Sequence, residues 1–251
     1  MLQVLTEVAA RYRRYESTGV SRQIAEHDAM FSGNMDHYLR VGRSAIEIVA
    51  SAMIAVRKSA ITNVLDLPCG AGRVTRHLRA FFPDADLYVS DLDKRGEHFA
   101  AETFRATPIA ASPTFSVPLP RTFELIFCGS LLTHLAERPF VRALDWLCGA
   151  LAPDGLLLLT VHGRRADYAE RNLNRYIDPA KWTRVREAAQ NGGFGFVETE
   201  QVNGAPYGVS LVAPSWIMRN VEHRPVRIVN YQEAGWSDHH DVLVLHNRPI
   251  E

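Results

Sequence analysis

The stretch Asp66-Leu67-Pro68-Cys69-Gly70-Ala71-Gly72-Arg73 constrains this chain more than any other, because it joins a short apolar run to an amphipathic segment. Glycines at a strand-to-helix turn let the backbone approach a ligand closely and take dihedrals that a Cβ forbids. Asp66 ends the run ahead of the glycines, and a second acid, Asp91, directly follows the next apolar run. A carboxylate in that second place can accept hydrogen bonds from ribose hydroxyls. A Gly-x-Gly turn alone is a weak signal. Asp66, Gly70, Gly72 and Asp91 at this spacing together point to a bound nucleoside cofactor. Asp66 taken singly reads equally well as a cap on the following helix.

The flanking pattern says what such a turn is built into. Val64–Leu67, Leu87–Ser90, Pro108–Ala110, Phe123–Cys128 and Leu156–His162 are short apolar runs. Helical segments at Arg73–Phe82, Lys94–Phe104 and Pro139–Leu151 alternate with them. Near-continuous apolar strands alternating with helices predict a mostly parallel sheet covered on both faces. Two further strands, Val226–Gln232 and Val242–His246, flank a turn at Ala234–His239 and must pair antiparallel as a hairpin. Ahead of the core, residues 1–60 read as helical, with Leu39, Ile46, Val49, Met53 and Ile54 on one stripe of a helix from Met35 to Lys58. That helix serves either as packing along the domain edge or as a lid whose Tyr38 and Arg43 reach a ligand. Gly163–Leu211 breaks the rhythm without a clear strand and reads as an inserted cap. The expected organisation is one domain: helical segment 1–60, core 61–162, cap 163–212, then a short helix and hairpin over 213–251.

On these residues the chain resembles the class I S-adenosylmethionine-dependent methyltransferases. The likeness rests on Val64–Gly72, on Tyr88-Val89-Ser90-Asp91, and on Phe123–Ile126 leading to Leu131-Leu132-Thr133-His134-Leu135. Leu151-Ala152-Pro153-Asp154-Gly155-Leu156 completes it. The resemblance implies a Rossmann-like α/β fold with a seven-stranded sheet and S-adenosylmethionine as cofactor. It places the methionine part of the cofactor at the turn of Gly70 and Gly72, and the ribose at Asp91 and the adjoining Leu92. It puts the adenine near Ser112, and the sulfonium near Gly129 and Ser130. Pro68 departs from the glycine common there in the family. A nicotinamide enzyme would show a third glycine where this chain has Thr75, and Asp66 would oppose its pyrophosphate. An NAD-dependent oxidoreductase is therefore the alternative, and a non-catalytic scaffold that still binds S-adenosylmethionine a further one.

Composition narrows the partners. Lys plus Arg and Asp plus Glu number 28 each, so no global field gathers nucleic acid or an anionic membrane. No apolar stretch is long enough to span a bilayer, and the basic residues Arg11, Arg13 and Arg14 follow the first apolar segment, the reverse of a secretion signal. Cys69, Cys128 and Cys148 are odd in number and far apart, as expected of reduced thiols in a cytoplasm.

The expected partner is a small-molecule acceptor methylated at oxygen or nitrogen. A hydroxyl acceptor benefits from a base, for which His is suited. The carboxyl-end rule selects His134 after the fourth strand, His162 at the end of the fifth, and His239 and His240 in the final hairpin, with His240 alternatively pointing to solvent, whereas His77 reads as a surface residue. Strand alternation sets His239 and Asp241 on one face, two ligands only, so no metal site is expected. Tyr207 and Trp236 are candidate apolar walls. Arg164, Arg165, Arg171, Arg175, Lys181, Arg184 and Arg186 form either a solvated face or contacts to an anionic, sugar-like acceptor.

Overall fold

In the computed structural model, which describes residues 1–173, 177–202 and 205–247, the strands in chain order are β1 (Asn63–Asp66), β2 (Asp86–Val89), β3 (Thr107–Pro108), β4 (Phe123–Cys128), β5 (Leu151–Val161), β6 (Phe194–Val202), β7 (Ala205–Val212), β8 (Arg227–Trp236) and β9 (His240–His246). Seven of them form one sheet in the order β3-β2-β1-β4-β5-β9-β8. Strands β1 to β5 pair parallel, and β9 runs antiparallel to both β5 and β8. The expected α/β, Rossmann-like, mostly parallel sheet with its C-terminal hairpin is therefore present.

The continuous apolar strands are explained by burial on both faces. In β5, Leu156 and Leu158 join Val64, Leu125, Val242 and Val244 on one face. Leu157 and Leu159 join Leu65, Ile126, Leu243 and Leu245 on the other. None of Leu156–Leu159 is more than 1% exposed, and each contributes about 1.5–3 kcal/mol of burial relative to an exposed side chain. The helices α1 (Leu2–Thr18), α2 (Met35–Ala55) and α3 (Thr75–Phe81) cover the first face. On the outer strands lies α4 (Lys94–Phe104), and the second face carries α5 (Glu137–Gly149).

Two sequence expectations change here. His77 is buried, not a surface residue, because α1 packs over α3: its Nδ1 lies 2.6 Å from the Tyr15 hydroxyl. Burial pushes its pKa down to about 3, so it is a neutral core residue. Second, the insertion contains regular structure: α6 (Arg164–Leu173), α7 (Pro179–Gly192) and the β6–β7 hairpin, a separate two-stranded sheet. Strand β6 pairs only with β7, so its stretch Glu198–Gln201 stays exposed and lacks the apolar pattern of a core strand. The chain then returns to the core through α8 (Pro214–Glu222). Among the described residues no helix is long and apolar enough to cross a membrane.

Helices α2 and α3 approach each other at Gly42. A Cβ there would stand 2.2 Å from the His77 ring and 2.5 Å from the Arg73 carbonyl oxygen. Gly42→Ala gains up to about 1 kcal/mol of helix propensity but forces apart a crossing that includes rigid backbone, at a typical cost of about 1–3 kcal/mol. Urea unfolding is expected to show a net loss of stability. A gain would mean that the crossing is looser than described.

Candidate functional site

Strand order dictates where a crevice opens. From β1 the chain steps outward to β2 and β3, then returns to β4 on the other side of β1. The turns beyond the carboxyl ends of β1 and β4 therefore diverge, the usual ligand position in an open α/β sheet.

Asp91 organises this crevice. Its Oδ2 accepts a hydrogen bond from the Gly70 N–H at 2.7 Å, and its Oδ1 accepts one from the Asp93 N–H at 2.9 Å. Glu97 Oε1 accepts from the Asp91 N–H at 3.0 Å. One carboxylate thus clamps the turn after β1 to the turn after β2. Burial raises its pKa, and the two amide bonds oppose that rise.

The two glycines of the turn have different tasks. Gly70 has φ +50° and fronts open space, since a Cβ would meet nothing within 4 Å. Gly72 has φ +80°, and a Cβ there would lie 2.3 Å from the Phe104 ring of α4. Only Gly70 lines the cleft; Gly72, expected at the cofactor, instead lets the turn pack on α4. Pro68 follows a cis peptide bond and also lines the cleft.

Asp66 is 1% exposed and accepts a 2.6 Å hydrogen bond from the Thr75 hydroxyl. It holds the first residue of α3 through that hydroxyl rather than as the helix N-cap, and it lines the inner hollow. Burial pushes its pKa up to about 7 despite the Thr75 bond.

The cleft encloses about 480 Å³ and shares Asp28, Gly70, Asp91, Ser130, His134 and Tyr207 with an inner hollow of about 190 Å³. Leu92 and Ser112 line one side; the Ser112 hydroxyl shapes its loop by accepting from the Ser116 and Val117 N–H groups at 3.1 and 3.3 Å. Ser130 lines both spaces and Gly129 the hollow, where a Cβ on Gly129 would stand 2.7 Å from the Phe127 ring. Trp236 walls the hollow, and Tyr207 of the cap walls both.

Of the candidate bases, His134 is the one that lines this cleft. Its Nδ1 lies 2.8 Å from the Gly208 carbonyl oxygen, and its ring stacks on Tyr207 at 4.5 Å and 11°. A carbonyl only accepts, so Nδ1 carries the proton and the lone pair sits on Nε2. Burial lowers the His134 pKa, partly offset by the Gly208 bond, so the ring is neutral at pH 7. Two others, His162 and His239, do not line the cleft; they lie behind it, in contact with each other and with His240. His240 is buried rather than solvent-facing and bonds to Thr160.

Two further expectations are corrected. Arg43 faces away from the cleft and pairs with Glu16 and Glu47, because it lies on the outer side of α2. Tyr38 is buried and donates a 2.5 Å hydrogen bond to Asp28, so Asp28, not Tyr38, meets the cleft. Of the insertion's cations, Arg164 pairs with Glu233, Arg165 with Asp238, and Arg171 and Arg186 with Asp167. Lys181 and Arg184 are exposed away from the cleft, and Arg175 lies outside the described residues.

The sequence reading missed the segment His27–Met30, which lines the cleft mouth. It is anchored by Arg76, a fully buried side chain that donates to the Ser21 and Gln23 carbonyls at 2.9 and 2.8 Å and to the Gly72 carbonyl at 3.1 Å. No periodicity marks such a strap.

The profile of the family described as "Methyltransferase domain" matches residues 35–190. Among solved structures, DesVI of Streptomyces venezuelae is similar at 13% identity and TM-score 0.61, covering 91% of this chain and 100% of its own. CalS10 of Micromonospora echinaspora, an amino pentose methyltransferase solved with S-adenosylmethionine, shows 14% identity and TM-score 0.59, with 90% and 99% covered. An S-adenosylmethionine-dependent methyltransferase from Clostridium acetobutylicum shows 13% identity and TM-score 0.55, with 96% and 98% covered. At these identities the likeness is one of fold. No curated protein matches the sequence.

The raised Asp66 pKa is itself testable. Its folded value of about 7 lies above the unfolded value near 3.8, so the folded state holds the extra proton and stability falls as pH rises between the two. From pH 5 to pH 8 this linkage removes about 2–3 kcal/mol. In urea unfolding at those two pH values, Asp66→Asn is expected to lose less stability than the parent by about that amount. Equal losses would show that Asp66 is ionised in the fold.

Proposed function

Because the chain belongs to the methyltransferase domain family, whose class I enzymes use S-adenosylmethionine, we propose that it methylates an oxygen or nitrogen of a small, largely apolar molecule held against His134 and Tyr207. The observation that carries this reading is a neutral histidine, oriented by a backbone carbonyl, at the wall of a capped cleft.

The cleft suits the cofactor by its own chemistry. Gly70 leaves backbone open where a side chain would otherwise stand, and Asp91 borders an inner hollow that Asp66 and Arg73 also line; the Asp91 carboxylate is the group beside which a cationic sulfur is welcome. In this reading Asp91 holds the ribose, with Leu92 beside it, and the turn at Gly70 holds the amino-acid end. Ser112 flanks the base, while Gly129 and Ser130 border the reacting centre. Bound there, S-adenosylmethionine supplies an electrophilic methyl group.

The chain's own residues supply position and proton traffic. Tyr207 fixes the His134 ring by stacking, and Gly208 fixes its tautomer, so Nε2 is ready to take a proton from a hydroxyl or an ammonium group. Met30, Phe115, Leu131, Trp146, Val202 and Tyr207 make apolar walls that exclude water and favour an uncharged acceptor. The insertion's paired arginines give no support to a phosphorylated one. His27, Asp28 and Glu200 are among the polar groups available to orient a hydroxylated or amino-bearing frame, sugar-like frames included.

Titration calorimetry is expected to give heat with S-adenosylhomocysteine and none with NADH. Asp91→Ala should weaken the former by about 1.5–3 kcal/mol, the range for hydrogen bonds to a charged group. Unchanged affinity would misplace the ribose. Against an acceptor found by screening for S-adenosylhomocysteine release, His134→Ala should lower kcat/KM by about 10²–10⁴-fold. Because burial lowers the His134 pKa, the acid limb of the parent's kcat/KM profile should fall below the ordinary histidine value of about 6.5. A limb above that value, or a loss of only a few-fold in the variant, would remove His134 as the base.

A further inference from the structure

The three histidines behind the cleft raise a question that methyl transfer leaves unanswered. His162 follows the end of β5, His239 lies in the turn between β8 and β9, and His240 begins β9. Because His239 precedes the strand, alternation does not govern it, and the pairing of His239 with Asp241 expected from sequence fails. Asp241 is turned elsewhere, accepting hydrogen bonds from the Tyr231 hydroxyl and the Ala234 N–H. The tight turn instead brings His239 beside His240 and across to His162, with ring centroids 5.1, 5.8 and 4.9 Å apart around the triangle. One ring nitrogen from each lies within 4.8 Å of the other two.

We propose that His162, His239 and His240 form a three-nitrogen site for a divalent transition ion of the zinc class, set behind the wall of the cleft. Four observations support it. The donor set is all imidazole, which favours Zn²⁺, Co²⁺, Ni²⁺ or Cu²⁺ over Mg²⁺ or Ca²⁺. Three ligands meet the minimum for a tetrahedral zinc ion that keeps a fourth position for water. The spacing is near what such an ion demands, since Zn–N bonds of about 2.0–2.1 Å set ligand nitrogens about 3.3 Å apart. Half-buried His239, on a turn, is the ligand able to close that gap.

Outer partners are also in place. His162 Nδ1 lies 3.1 Å from the Ser210 carbonyl oxygen, and His240 Nδ1 lies 3.2 Å from the Thr160 hydroxyl. Metal-bound histidines commonly hold their second nitrogen in this way, which fixes the ring orientation.

The position gives the ion a task. Ser210 belongs to β7 of the cap, and the Thr160 hydroxyl accepts a 2.8 Å hydrogen bond from the Ser130 N–H at the cleft wall. An ion on the triad ties the end of β5 to the β8–β9 turn, and through Ser210 and Thr160 it braces both the cap and the wall.

The test uses the full chain, stripped with a chelator and titrated with Co²⁺, which reports coordination by its visible spectrum, then displaced by Zn²⁺. Expected are one ion per chain, the intense visible bands of a four-coordinate site, and a Zn²⁺-dependent rise in the unfolding temperature that chelator reverses. His239→Ala, at a half-buried turn and so the mildest of the three changes, should weaken binding by about 100-fold or more, beyond the loss typical of outer partners alone. His134→Ala should bind Co²⁺ as the parent does. No uptake, a weak octahedral spectrum, undiminished binding in the His239 variant, or loss of binding in the His134 variant would each overturn the proposal. None of these readouts depends on methyl transfer.

Discussion

The carboxylate of Asp91 is the interaction on which the cleft depends. Its two oxygens take amide hydrogens from two turns, one after β1 and one after β2, which the Cys69 N–H also joins by donating to the Ser90 carbonyl at 3.1 Å. A loose glycine turn would sample many backbone states; clamped, it holds Gly70 open toward the crevice. The clamp uses one lone pair on each oxygen, and a carboxylate has about four acceptor sites. The same group therefore shapes the floor and keeps acceptor capacity for a sugar diol.

Around that floor the site is assembled from distant parts of the chain. The cap is tied to the core along β7: Gly208 holds His134, Ser210 donates to the Leu132 carbonyl at 3.1 Å, and the Ser210 carbonyl meets His162. The N-terminal strap is tied through Arg76, whose buried guanidinium is satisfied by backbone carbonyls. A buried cation with carbonyl partners is costly to leave bare, so the strap and the glycine turn hold together or loosen together.

Much of this was legible in the sequence, and the reasons are physical. Strands buried on both faces leave continuous apolar runs, so Phe123–Cys128 was located at its observed bounds. Helix α4 likewise matched, with Asp93 capping it through the Arg95 N–H at 3.1 Å. Asp91 and the glycine turn showed because their chemistry needs particular residue types at fixed spacing. The cap showed as an insertion but its strands did not, since its hairpin is exposed and carries polar residues in β6. Helix α7 could have been found: Asp178-Pro179 is a strong start signal, and Trp182, Val185 and Ala189 repeat on one buried face. His77, His240 and Arg43 were misplaced because their environments depend on which helix or turn packs against them. That information is tertiary, and no local pattern encodes it.

The most direct measurement is a crystal structure of the protein with S-adenosylhomocysteine. The ribose hydroxyls should lie within hydrogen-bonding distance of Asp91 while the Gly70 N–H keeps its bond to the same carboxylate, with the sulfur on the His134 side of the inner hollow. A nucleoside bound elsewhere, or an Asp91 that meets only the two backbone amides, would contradict the account.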